Sequence, residues 1–248
     1  MRFKMKVACG LAFFCILLLA GSVVAQQHFA ATEAFYSNKY KGEILVIDPG
    51  HGGEDGGAVS SQGIVESAIN LAIAKRLDGI LGFYGVPSLM TRSEDISIYD
   101  EGAKTLREKK VSDLHNRVAL IEAQNNATLI SIHQNIYTNP KYHGAQVFYG
   151  KEERSMALAS AVQETLRQVL DPENQRLPAK IPDSVYLMNH ITCRGILVEC
   201  GFLSNPEEEK LLQSPAYQSK IALALAGAYL QNQLTEEKEG STGYAAQE

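Results

Sequence analysis

Three short apolar runs in this chain each stop at a side chain that is costly to bury. Ile44-Leu45-Val46-Ile47 runs into Asp48-Pro49-Gly50-His51-Gly52-Gly53, Leu129 to Ile132 into His133-Gln134-Asn135, and Ile196-Leu197-Val198 into Glu199-Cys200-Gly201. Short continuous apolar runs bounded by turn residues are the pattern of strands buried on both faces, as in parallel sheets. In open α/β sheets ligands gather at the carboxyl ends of the strands. The chain is therefore predicted to be an α/β protein, a mostly parallel or mixed sheet covered by helices on both faces, with its chemistry at one edge.

The segments between these runs supply the rest of the fold. Glu66 to Leu81 carries Ile69, Ile73, Leu77 and Ile80 at helical spacing. Further helices are predicted over Leu114–Ala123 and Met156–Leu170, and further strands over Val86–Met90, Ala145–Tyr149 and Val185–Met188. Asn205-Pro206-Glu207-Glu208-Glu209 offers an N-cap, a Pro at the first helical position and acids that suit the helix dipole. Ser214-Pro215 repeats the cap-then-Pro pattern before a last helix expected to end near Leu234. The body spans 43–234 as one domain, and the polar 235–248 stretch is expected to be a disordered tail.

The N-terminus is a separate object. Arg2, Lys4 and Lys6 precede an apolar run from Val7 to Ala25 that closes on small residues, which reads as an export signal or membrane anchor over 1–25, followed by a 26–42 linker. Cleavage after Ala25 and retention as an anchor both fit the pattern. Ser22 stands where a lipoprotein would need Cys. The net charge is −5, and −8 without this segment, with no basic cluster elsewhere, so nucleic acid is not a partner. Cys9 and Cys15 belong to the segment. Cys193 and Cys200 lie too far apart along an extended strand to bridge, and read as free thiols.

Competing motifs are missing: Gly50-His51-Gly52-Gly53 lacks the third Gly of a dinucleotide loop, and no His-Glu-x-x-His, Cys-x-x-Cys or Gly-x-Ser-x-Gly occurs. What remains is two histidines and a carboxylate, His51, His133 and Glu66, a donor set suited to a catalytic zinc with an open position. Glu199 is a candidate general base. Singly, each has a plainer reading as a turn histidine, a strand-end histidine or a helix-start acid. Glu199 is harder to dismiss, because a carboxylate after three apolar residues would be costly to bury unpaired. Cys200 points to the opposite face. Asn135, two residues past His133, is expected to orient substrate or a ligand, or to cap its loop. His28, His115, His143 and His190 read as surface or structural.

Taken in order, Ile44 to Gly53, Glu66, Ser131 to Asn135 and Leu197-Val198-Glu199-Cys200-Gly201-Phe202-Leu203-Ser204-Asn205-Pro206 resemble the zinc-dependent N-acetylmuramoyl-L-alanine amidases of type 3, over about residues 42–234. Asp113-Leu114-His115-Asn116-Arg117-Val118, Gly144 to Gly150 and Tyr186-Leu187-Met188 are similar to the CwlD-like, spore-cortex branch, as is the absence of a wall-binding module. Cys193-Arg194-Gly195 departs from the Pro that relatives often carry there.

The resemblance implies that His51, Glu66 and His133 hold Zn2+ and that Glu199 is catalytic. It implies cleavage of the amide between N-acetylmuramic acid and L-alanine on peptidoglycan glycan strands, on the path to muramic lactam. An accessory protein and a downstream deacetylase are the partners it suggests, with action outside the cytoplasm, toward the wall or the forespore intermembrane space. Arg92 and Arg117 are expected to be structural ion-pair residues. A zinc peptidase of wall crosslinks and a non-catalytic wall-binding module are the alternatives.

Overall fold

The computed structural model describes residues 43–245, so the expected export segment, the linker and His28 lie outside the described residues. Among the described residues no helix is long and apolar enough to cross a membrane.

Six strands form one mixed sheet: β1 (Ile44–Pro49), β2 (Ser88–Met90), β3 (Ala127–Asn135), β4 (Gln146–Tyr149), β5 (Ala179–Lys180) and β6 (Arg194–Phe202), in the order β2-β1-β3-β6-β4-β5. The central pairs β1–β2, β1–β3 and β3–β6 are parallel, β4 runs antiparallel to β6, and β5 is parallel to β4. Among the described residues six helices complete the fold: α1 (Glu66–Phe83), α2 (Leu106–Glu122), α3 (Ser155–Leu170), α4 (Tyr186–His190), α5 (Pro206–Leu212) and α6 (Pro215–Ala245).

The alternation of strand side chains assigns each residue to a layer. Leu45, Ile47, Ile130, Ile132, Ile196, Val198 and Cys200 pack in the larger core with α1, α3 and α6. Val46, Leu129 and Leu197 face the smaller core with Ile121 of α2 and Leu187 and Met188 of α4. Continuing that second parity carries Asp48, Ser131, His133 and Glu199 to the α2/α4 side of the sheet edge. Register agrees: Asp48 pairs with Ser131, Ser131 with Leu197, and His133 with Glu199.

Three elements depart from the sequence-based expectation. Val185–Met188 is not a strand: a turn from Pro182 leads into α4, which buries Leu187 and Met188, and the edge position in the sheet is taken by β5. A four-residue apolar run does not distinguish these states by periodicity. Helix α2 begins at Leu106 rather than Leu114, under a capping box in which Thr105 and Glu108 satisfy each other's backbone N–H groups. Helix α6 does not end near Leu234 but continues to Ala245, and Glu236, expected in the disordered tail, forms an ion pair with buried Arg194. Arg194 also binds Glu43 at 2.6 Å, joining the start of the body to its last helix. The Asn205 cap is as expected, accepting from Glu207 and Glu208 N–H. Cys193 and Cys200 are free.

Beneath the chemical edge lies a buried ion pair. Arg117 donates to Asp48 Oδ1 at 2.5 Å and to Asp113 Oδ2 at 2.7 Å, and to the carbonyls of Pro49 and His51. Thr91 and Ser131 hydroxyls donate to the two Asp48 oxygens at 2.6 and 2.7 Å. Arg117 is thus the ion-pair residue the sequence suggested. Arg92 is not: it makes no salt bridge among the described residues, and donates instead to the carbonyls of Pro49, Gly50, Glu94 and Ser67.

Burial pushes the Asp48 carboxyl up, but Arg117 and the two hydroxyls outweigh it and hold the group at about 2, below its ordinary 3.8. A depressed carboxylate stabilises the fold above its unfolded pKa and loses that contribution as pH falls through the folded one, here a loss of about 2 kcal/mol between about pH 4 and 2. Urea unfolding across that range should show this slope, and Asp48→Asn should remove that part of it. The same substitution leaves Arg117 short of a partner and should cost on the order of 3 kcal/mol at neutral pH.

Candidate active site

The β1 strand ends by turning sharply toward its neighbour. Gly50 lies against the His133 ring so closely that a Cβ there would sit 2.1 Å from Cε1. His51 follows with φ +63°, a left-handed conformation uncommon outside glycine, and the Arg117 guanidinium holds its carbonyl at 2.8 Å. A glycine-rich excursion then returns the chain to Glu66, the first residue of α1. Glu66 N–H donates to Ala58 O, and Ala58 N–H donates to Glu66 Oε2 at 2.7 Å. Gly57, at φ +73°, leaves the space that Glu66 and His51 occupy: a Cβ there would stand 2.5 Å from Glu66 Oε2.

His51, Glu66 and His133 converge. Each offers one ligand atom, and the three atoms lie within 4.8 Å of one another. His133 Nδ1 is 3.0 Å from Glu66 Oε1, and His51 Nε2 is 3.5 Å from Glu66 Oε2. A tetrahedral ion with bonds of about 2.0–2.1 Å separates its ligand atoms by roughly 3.3 Å, so the donor types and spacings fit a zinc-sized cation. Burial would lower the His133 imidazole, but Glu66 and Glu199 raise it. The negative potential that favours a proton there also favours a cation.

Glu199 lies across from His133 on β6, on the same face, at the next-strand spacing of about 4.8 Å. Its Oε2 is buried and has no hydrogen-bond partner among the described residues. Burial lifts its carboxyl to about 7, with a further push from Glu66 against the pull of His133. A buried acceptor left unpaired is costly, and here it faces a cavity of about 190 Å³ lined also by His51, His133, Lys110 and Tyr186.

The four residues singled out for metal binding and proton transfer therefore meet at one edge. Asn135 does not join them. The β3–β6 register shifts after His133, which sets Asn135 opposite Phe202, and Asn135 does not line the cavity; its carbonyl accepts from Leu203 N–H. The other described histidines also lie elsewhere: His143 pairs with Asp171, His190 with the Tyr186 carbonyl, and His115 packs on Tyr186.

Two residues outside the sequence-predicted set support Glu66. Asn70 donates to Glu66 Oε1 at 3.2 Å and to Gly50 O at 3.1 Å, and Gln134 donates through its backbone to Glu66 Oε1 and through Nε2 to Asn70 Oδ1. Asn70 had a signal, since it follows Glu66 by one helical turn on the buried face. Gln134 acts mainly through its N–H, which no side-chain pattern reveals.

A parallel-sheet edge that gathers a His–Glu–His set able to hold a divalent cation, with an unpaired carboxylate beside it, defines a hydrolase-type site. A family profile described as N-acetylmuramoyl-L-alanine amidase matches residues 45–231, and the chain belongs to that family of peptidoglycan-hydrolysing enzymes. The germination-specific N-acetylmuramoyl-L-alanine amidase of Bacillus subtilis (strain 168) is 38% identical over 228 residues, 91% of this chain and 93% of that protein. AmiA of Escherichia coli (strain K12) is 29% identical, covering 74% of this chain and 73% of its own. The solved structure of the CwlD amidase from Clostridioides difficile, in complex with the GerS lipoprotein, superposes with a TM-score of 0.75 at 37% identity, over 78% of this chain and 100% of that one. The chain is of the CwlD-like branch of type 3 amidases.

Gly50→Ala should displace the His133 ring and reduce amidase activity on the order of 10²-fold, the scale expected when a reacting group moves by about an ångström. Gly79→Ala, on α1 with open space around it, should leave activity unchanged and is the control.

Proposed function

We propose that this amidase is zinc-dependent, with His51, Glu66 and His133 as the metal ligands and Glu199 as the proton-transfer group. The observation that carries this reading is the buried, unpaired Glu199 Oε2 directly beside a three-donor set of cation-binding geometry. Zinc at such a site supplies Lewis acidity toward the amide carbonyl and toward water. Glu199 takes the proton of the attacking water and returns it to the nitrogen of L-alanine as that amine leaves. A carboxyl lifted to about 7 is suited to both halves of this exchange near neutral pH. Asp48 and Arg117 stay out of the chemistry and fix the loop that carries His51.

Glu199→Gln should retain zinc, measured by metal analysis, while single-turnover hydrolysis falls on the order of 10²–10⁴-fold. Loss of zinc in that variant would make Glu199 a ligand, and retained activity would place the base elsewhere. On purified peptidoglycan the product should carry a new N-terminal L-alanine; other new amines would identify a peptidase.

The biological setting follows from the likeness to the germination-specific enzyme. We place the reaction at the spore cortex, where removal of the stem peptide from muramic acid prepares the sugar for a deacetylase and closure of muramic lactam. Action on peptidoglycan and the basic-then-apolar start of the sequence support work outside the cytoplasm, toward the wall or the forespore intermembrane space. The Clostridioides difficile complex supports an accessory lipoprotein as partner. Muropeptide profiling of a deletion strain should show cortex without muramic lactam and an unchanged vegetative wall; unchanged lactam would overturn the cortex assignment alone.

A further inference from the structure

Asp55 stands outside the ligand set and yet touches it. His51 Nδ1 lies 3.0 Å from Asp55 Oδ2, while the other ring nitrogen, Nε2, is directed at Glu66. An ionised carboxylate can only accept, so in the neutral ring this contact places the proton on Nδ1 and leaves the Nε2 lone pair free.

Asp55 is itself held from two sides. Its backbone exchanges hydrogen bonds with Gly52, closing the turn that begins at His51. Its Oδ2 also meets Lys110 Nζ of α2 at 3.2 Å, and the neighbouring Glu54 pairs with Lys109. Two consecutive acids of the loop thus meet two consecutive lysines of one helix. The loop needs such a hold, because His51, Gly52 and Gly53 all sit at positive φ, where the backbone has little preference of its own to keep the imidazole aimed.

We propose that Asp55 is a positioning residue of the metal centre: it fixes the tautomer and direction of His51, and Lys110 anchors it to α2. This rests on the reading of His51 as a metal ligand. Partners of this kind typically change metal affinity by about 10–100-fold.

The test uses the full chain with zinc alone, its affinity read by chelator competition, and the ring nitrogens of metal-free, neutral His51 read by ¹⁵N NMR. Asp55→Ala should weaken zinc by about 10–100-fold and move the His51 proton toward Nε2. Asp55→Asn keeps an acceptor oxygen without the charge, so it should keep the Nδ1–H form and lose several-fold in affinity; it decides the matter if the Ala variant does not fold. His51→Ala is the reference for the ligand reading and should abolish tight zinc binding. Should His51→Ala lose zinc while both Asp55 variants bind it within about twofold of the parent, Asp55 is a loop anchor only and the proposal falls, the ligand reading standing. An Nε2–H tautomer in the parent protein would overturn it equally. Zinc retained by His51→Ala would bring down the ligand reading instead.

Discussion

The Arg117–Asp48 pair is the contact on which the catalytic edge depends. It buries two opposite charges at the end of β1, a costly arrangement unless every remaining donor and acceptor is used. Here nearly all are: the carboxylate takes two hydroxyls as well as the guanidinium, and the guanidinium reaches Asp113 and two loop carbonyls. The consequence is geometric. Helix α2 is docked through its own Asp113–Arg117 turn onto the place where β1 becomes the His51 loop, and Arg92 binds carbonyls of the same loop from the β2 side. An irregular, glycine-rich segment is thereby fixed as firmly as a strand end.

The sheet divides its labour by face. The side covered by α1, α3 and α6 carries the larger apolar core and also takes the buried Arg194 in its pairs with Glu43 and Glu236. The side toward α2 and α4 carries a thinner core, and as the strands approach their carboxyl ends its residues turn from Val46, Leu129 and Leu197 to Asp48, Ser131, His133 and Glu199. The change occurs within one two-residue step of each strand, so the same periodicity that packs the core also delivers the chemistry.

That periodicity is why so much was legible in the sequence. The buried strands, the α/β class, the opposite orientation of Cys200 and the convergence of His51, Glu66, His133 and Glu199 all follow from short-range pattern plus the rule that ligands sit at strand ends. What could not be read depends on non-local pairing. The register shift after His133 pairs Asn135 with Phe202, outside the cavity lining, which strand periodicity alone does not show. Val185–Met188 is not a strand because Leu187 and Met188 fill the smaller core from α4. The extension of α6 past Leu234 draws on Arg194, some forty residues earlier. Asp55 and Gln134 act through contacts made only once the loop is closed.

Gly50 and Gly57 give the site an uneven tolerance to change. Each is defined by an atom that must not be there, so these positions admit no gradation: any side chain collides with His133 or with Glu66 and His51. Diversification of such an enzyme is thus confined to walls that carry no part of this scaffold. Tyr186, the first residue of a five-residue helix, and Val185 before it form one such wall of the cavity. An evolving lineage would find the side of the cavity around His51 and His133 locked by steric exclusion and the side around Tyr186 free to drift, so the outline of the cavity can change without a second invention of the edge beneath it.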